Sequence, residues 1–362
     1  MRIKRISAAL TAVCFSTVLL LFCVLTFLLP KAAVSESERR KLAEMPALSV
    51  TALLDGSWFS GMSDYLTDHF ALRESWRTVN SLVRTEVLLQ SDVNGVLEES
   101  GYLFEPIRSL DERAVTRAGE KLQKITDTWF AEKPVYVAVI PDKADFAEQD
   151  LWKIDTGRVA ELLTENLDAD YIDISSTLEL SDYYRTDTHW RQECLGDTAA
   201  ALITGMGGAY QEPDFSWNAV EDFCGVLWGR YAMPLSGETL LYGTNEATEN
   251  AVVQYLDYPE RSTVYVPDTD SPDKYDLFLS GAASVIEIEN PEAETDEHLV
   301  LFRDSFGSSL APWLLTYYEK ITMIDIRYIS SEKIGAYTAP ETADAVLFLY
   351  STAILNTGGI LK

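Results

Sequence analysis

The chain has 362 residues, 47% of them hydrophobic and 24% charged, with 57 acidic against 29 basic residues and a formal net charge of −28. That length and apolar content suffice for one large domain or two ordinary ones and exclude a disordered chain. So strong an acidic excess repels phosphate backbones, which excludes nucleic acid as a partner.

Arg2, Lys4 and Arg5 precede an uncharged apolar run from Ile6 to Leu29. The run is longer than the roughly 7–15 residues of a signal-peptide core and meets the roughly 20 of a membrane-spanning helix. The expectation is therefore an uncleaved anchor over residues 1–34 that touches the lipid bilayer through residues 6–29, with a cleaved signal as the alternative. The basic flank stays cytoplasmic, so everything after about Lys31 lies outside the cell membrane, or is secreted if the segment is cleaved. Cys14 and Cys23 fall inside the run, leaving Cys194 and Cys224 beyond it. An oxidising compartment permits a disulfide between them, and two separate buried thiols fit equally.

Residues 35–48 read as a charged, proline-punctuated linker, and Val50 to Gln90 carries apolar residues at helical spacing, giving one or two amphipathic helices. Residues 35–100 are expected to pack on a main α/β domain that spans 101–362. In that domain "PVYVAVI" (134–140) and "YIDIS" (171–175) read as strands around a helix near 158–166, and helix-compatible sequence runs from Trp190 to about Met206. Residues 207–293 are rich in glycine, proline and acidic side chains and read as an irregular insertion with small hairpins.

The clearest unit is "HLVLFRDSFGSSLAPWLLTYYEKITMIDIR": a strand over 298–303, a polar turn over 304–309, a helix over 310–320 and a strand over 321–326, with "AVLFLY" (345–350) as another strand. Alternating strands and helices predict a mostly parallel sheet flanked by helices, with ligands at the carboxyl ends of the strands. Ser305 sits at such an end, where a strand–turn–helix elbow exposes a hydroxyl beside the first helix amides; a plain helix cap at Asp304 or Ser305 fits the same residues. A serine nucleophile needs a base. Among His69, His189 and His298, the candidate base is His189: Asp187 stands two residues before it, and in an extended segment the two side chains face the same way, about 6.6 Å apart along the backbone.

"TDTHW" followed by "LFRDSFGSSLAPWLLTYYEKITMIDIRY", together with "ERRKLAEMPALS", "YLTDHFALRESW" and "VIPDKADF", resembles the DHHW family of extracytoplasmic bacterial proteins. That family is similar to the SGNH-hydrolase-like domain of alginate O-acetyltransferases, and the likeness runs from about Ser37 to Tyr328. The resemblance implies an SGNH-hydrolase-like (flavodoxin-like) fold with Ser305 as nucleophile, His189 as base and Asp187 as orienting acid. Gly281, Arg303 and Trp190 are the candidate substrate or oxyanion contacts. Two positions depart from the pattern: Thr188 stands where the family name has histidine, and Ala282 stands where relatives carry the asparagine of the oxyanion hole. Losing one such donor typically costs about 2.7–4 kcal/mol of transition-state stabilisation; Asn218 and Asn245 are substitute donors to consider.

Three scattered histidines without paired cysteines give no zinc pattern, and Gly205, Gly207 and Gly208 fit a helix end better than a dinucleotide loop. No cofactor is called for, and "ENPEAETDEH" reads as a solvated loop. The aromatics Trp217, Phe223, Trp228, Tyr231 and Tyr242 suit core packing or sugar stacking. The expected function is an extracytoplasmic acyl-ester enzyme, an O-acetyltransferase acting on a cell-surface polysaccharide with a membrane-bound acyl-transfer partner. An acetyl esterase with the same triad and a non-catalytic carbohydrate-binding or scaffold protein are the alternatives.

Overall fold

The computed structural model describes residues 2–107, 109–149, 153–267 and 271–358. The chain divides into two units, Met1–Asn94 with Trp228–Leu235, and Gly95–Leu227 with Ser236–Lys362.

The first unit is helical: α1 (Arg2–Leu28), α2 (Val50–Leu54), α3 (Ser57–Asp68) and α4 (Arg73–Leu82), the last running into a π turn over Val83–Val87. Within α1, Ala9–Leu28 is long and apolar enough to cross a membrane. Where apolar spacing predicts one or two helices after Val50, there are three. Gly56 and Leu72 adopt left-handed conformations (φ 82° and 60°), which a continuous right-handed helix cannot contain.

The second unit is built on seven strands: β1 (Val135–Ile140), β2 (Asp170–Tyr171), β3 (Val252–Tyr255), β4 (Val285–Glu289), β5 (His298–Arg303), β6 (Lys320–Ile324) and β7 (Ala345–Ser351). Their order across the sheet is β3-β4-β6-β5-β7-β1-β2. The five from β6 to β2 run parallel, while β3 and β4 add antiparallel at one edge. Central strand β5 is buried along its whole length, as a parallel strand covered on both faces must be.

The helices of this unit that flank the sheet and its elbow are α5 (Glu112–Trp129), α6 (Thr156–Thr164), α7 (Gly196–Gly205), α8 (Phe306–Leu314) and α9 (Thr352–Thr357), with short helices at Glu246–Asn250 and Ile334–Tyr337 besides. Alternation along the strands sorts them into two layers. Leu299 and Leu301 share a core with α7 and α8, whereas Val300 and Phe302 share one with α5 and α6. The result is a mixed α/β sandwich with one α8 turn rising directly from the end of β5.

Two local readings change, and the choice left open for Cys194 and Cys224 falls to separate thiols. The strand expected over 171–175 pairs only through Asp170–Tyr171, because the Asp173 carboxylate accepts the Ser175 amide and hydroxyl and turns the chain. The stretch 207–293 holds a hairpin of Ser216–Phe223 with Glu238–Thr244 and also supplies β3 and β4 to the main sheet. Cys194 and Cys224 are half-buried thiols with no disulfide between them, and burial pushes the Cys194 thiol up to about 12. Cys194 closes the turn Gln192–Cys194, while Cys224 precedes Gly225, whose amide is tied to Thr186 Oγ1, so each cysteine is committed to its own segment.

Candidate functional site

The chain leaves β5 at Arg303 and enters α8 at Phe306, so Asp304 and Ser305 form the elbow itself. Asp304 is almost fully buried. Its Oδ1 accepts the Phe306 amide at 3.1 Å and its Oδ2 accepts the Ser351 amide at the end of β7 at 2.8 Å. One carboxylate thus caps the helix and ties two neighbouring strand ends together. Ser305 makes no side-chain cap, and its hydroxyl lies 2.7 Å from His189 Nε2.

His189 is held from several sides. Its Nδ1 lies 2.6 Å from Asp187 Oδ1, and its own amide donates to the same oxygen at 3.1 Å. The segment is therefore a turn closed by the aspartate rather than the extended run that spacing predicts. A carboxylate can only accept, so Nδ1 carries the proton and Nε2 is the lone-pair nitrogen that receives the Ser305 hydroxyl. Asp187 is fully buried, and its Oδ2 accepts the Val226 amide at 2.8 Å. The Tyr275 ring stacks on the imidazole with centroids 4.0 Å apart, and Phe306 packs at 4.8 Å on a tilt.

Two groups behind this arrangement escape sequence reasoning. Buried Lys143 donates from Nζ to the carbonyls of Tyr184 at 2.9 Å and Asp187 at 2.6 Å, and burial pushes its ammonium down to about 8. Glu238, from the far side of the hairpin, accepts the amides of Arg185 and Thr186 and the Thr186 hydroxyl. Lys143 lies within "VIPDKADF", so the motif marked it without revealing its job. Nothing in the sequence around Tyr275 or Glu238 points across the chain to residues 185–189.

The structure brings together Asp187, His189 and Ser305 and assigns other work to the remaining site residues named from sequence. Trp190 has no exposed surface; its indole N–H donates to Phe306 O at 3.1 Å and Ser309 Oγ at 2.9 Å, so it braces α8 and cannot touch a substrate. Arg303 is likewise buried, with Nη1 donating to Asp304 O at 3.3 Å and lying 3.9 Å from Asp325 Oδ2. The Gly281 amide donates to Phe278 O at 3.3 Å and is engaged within its own left-handed turn at φ 71°. Asn245 Oδ1 accepts the Thr248 amide as the cap of the helix Glu246–Asn250, and Asn218 Nδ2 donates to Ser216 O and Thr244 Oγ1 inside the hairpin. Gly207, at φ 90°, and Gly208 close the end of α7 with amides bonded to Thr204 O and Ile203 O. Among the described residues no group of three or more His, Cys, Asp or Glu side chains could hold a metal ion.

No protein-family model matches the sequence, and no curated protein matches it either. Solved structures do. A DHHW family protein from Eubacterium siraeum superposes with a TM-score of 0.60 at 18% identity, covering 75% of this chain and 95% of that one. The chain shares the fold of a DHHW family protein. PatB1 from Bacillus cereus is similar at a TM-score of 0.59 and 16% identity, covering 74% of this chain and 98% of PatB1. A second PatB1 structure, carrying a sulfonyl adduct, gives 0.58 at the same identity, covering 74% of this chain and all of that one. At these identities the likeness concerns the fold alone.

Proposed function

We propose that Ser305, His189 and Asp187 form the nucleophile, base and orienting acid of an acyl-ester enzyme, an O-acetyltransferase acting on a cell-surface polysaccharide. The observation that carries the reading is the continuous chain of short contacts from Asp187 Oδ1 through both imidazole nitrogens to Ser305 Oγ. His189 takes the Ser305 proton while the oxygen bonds to the carbonyl carbon of an acetyl donor. Collapse of the tetrahedral adduct breaks the bond to the donor oxygen, which takes that proton from His189 and leaves an acetyl-serine. A sugar hydroxyl, deprotonated by His189, then attacks the acetyl carbon and frees Ser305.

The anchor reading of α1 belongs to the same proposal: the chain sits in the cell membrane with its second unit outside, where a membrane-bound acyl-transfer partner can supply the acetyl group. Residue 282 bears on the rate. An alanine offers no side-chain donor to the developing oxyanion, so turnover falls below that of a relative with asparagine there.

The test is hydrolysis of p-nitrophenyl acetate by the purified chain and by Ser305→Ala, with intact-mass detection of an acetylated serine. Turnover and adduct in the native chain alone support the enzyme. Equal residual rates and no adduct, with polysaccharide binding retained in both, overturn it in favour of a carbohydrate-binding protein. Adding a polysaccharide acceptor separates transferase from esterase by whether acetyl appears on sugar or as free acetate.

A further inference from the structure

Charges in the helices that follow α1 and in the segment just before them pair with one another: Arg40 with Asp68, Arg73 with Glu38, Arg77 with Glu74. Large apolar side chains there point into solvent, with Leu54 at 84%, Leu89 at 82%, Val50 at 74% and Leu48 at 70% exposure, and Phe59 and Trp76 also exposed. Among the described residues the second unit, several times longer, leaves fewer such side chains in solvent. A stretch from Met45 to Leu89 this rich in exposed apolar groups is far more than isolated surface residues account for.

The position of this stretch along α1 indicates what covers it. Phe22 of α1 stacks on Phe70 with centroids 5.6 Å apart and meets Trp76 edge-on at 5.7 Å. The Ala71 amide donates to Thr26 Oγ1 at 3.1 Å, with Thr26 and Ala71 both buried. Phe22 lies six residues before the end of α1, about 9 Å down the helix axis at 1.5 Å per residue. The turn between α3 and α4 is thus held against the last two turns of the apolar helix and shares their depth. Short helices that leave bulky apolar groups in solvent while their charges are paired suit a membrane interface, where tryptophan is enriched.

We propose that residues 45–89 form a second lipid contact, a platform of short helices seated in the extracytoplasmic face of the bilayer beside α1. The inference rests on the anchor reading of α1 and extends it. With a chain charge of −28, attraction to anionic headgroups does not hold the platform down. Burial of apolar surface does, so the contact survives high salt.

The test uses the full chain, with Cys14, Cys23, Cys194 and Cys224 replaced by alanine, reconstituted in vesicles of phosphatidylethanolamine and phosphatidylglycerol. A nitroxide is attached through a single cysteine at Leu54 or Leu89, at Leu19 as a probe of the span, or at Glu120 as an aqueous reference. Collisional relaxation by oxygen is compared with that by a water-soluble nickel chelate. The expected result is an oxygen-to-nickel ratio at 54 and 89 several-fold above that at 120 and grouped with 19. Ratios at 54 and 89 equal to 120 while 19 reads lipid overturn the platform and leave the anchor standing. Aqueous ratios at 19 as well overturn both. Aqueous ratios in vesicles with protection only in native membranes assign the face to a membrane protein instead and also overturn the proposal.

Discussion

The Asp304 carboxylate, and not the Ser305 hydroxyl, accepts the Phe306 amide at the start of α8. A short polar residue at a helix start ordinarily spends its side chain on the cap. Here the preceding residue does so, and the serine is left to meet His189. Asp304→Ala therefore removes a cap and strands the Ser351 amide. The expected destabilisation is about 1–3 kcal/mol in urea unfolding, accompanied by loss of esterase activity as the elbow loosens.

Asp187→Asn keeps the volume but presents an amide to the imidazole. The histidine then loses the tautomer that leaves Nε2 as acceptor, and kcat for p-nitrophenyl acetate should fall by up to about 10⁴-fold, the magnitude known for the serine-protease aspartate. A fall below tenfold would show that orientation of His189 does not depend on this carboxylate.

Tyr275 offers a dissection of ring from hydroxyl. Its ring stacks on His189 and its hydroxyl pairs with Ser309 Oγ at 2.8 Å. Tyr275→Phe keeps the stack and should change kcat little. Tyr275→Ala opens a cavity behind the imidazole, with an expected loss of about 3–5 kcal/mol by analogy with other buried aromatic truncations. Differential scanning calorimetry and kcat of the two variants, compared side by side, check this.

Lys143 couples the motif at 139–146 to the loop that carries Asp187. Its ammonium is pushed down to about 8 by burial, against an ordinary value of 10.5. Between those values the unfolded chain binds the proton and the folded chain does not, so this group makes stability rise with pH from about 8 to 10.5, by about 1.4 kcal/mol per unit. Lys143→Met removes that contribution. The difference in urea midpoint between native and variant protein, followed across this range, should grow in favour of the native chain.

Gly307 sits where a Cβ would lie 2.7 Å from Arg303 Cβ. Gly307→Ala is expected to push α8 off β5, costing about 1–3 kcal/mol and lowering kcat by displacing Ser305 from His189. Native-like stability with native kcat would show that the elbow tolerates the shift.

The sequence by itself determined the apolar helix and the strand–elbow–helix unit, and it offered Asp187 two residues before His189. Each is written in a local signal: hydropathy over 24 residues, a change of period from two to 3.6, a short motif. Tertiary structure decided which of two polar residues caps α8, because Asp304 is also wanted by Ser351, which lies 47 residues away. It decided that 252–255 and 285–289 join the main sheet, since an antiparallel edge strand has no local mark that tells it from a hairpin arm. It turned Trp190 and Arg303 from candidate substrate contacts into buried braces, and it set Tyr275 and Lys143 around Asp187 and His189. Those assignments depend on burial and on partners tens of residues distant, which no short window of the chain contains.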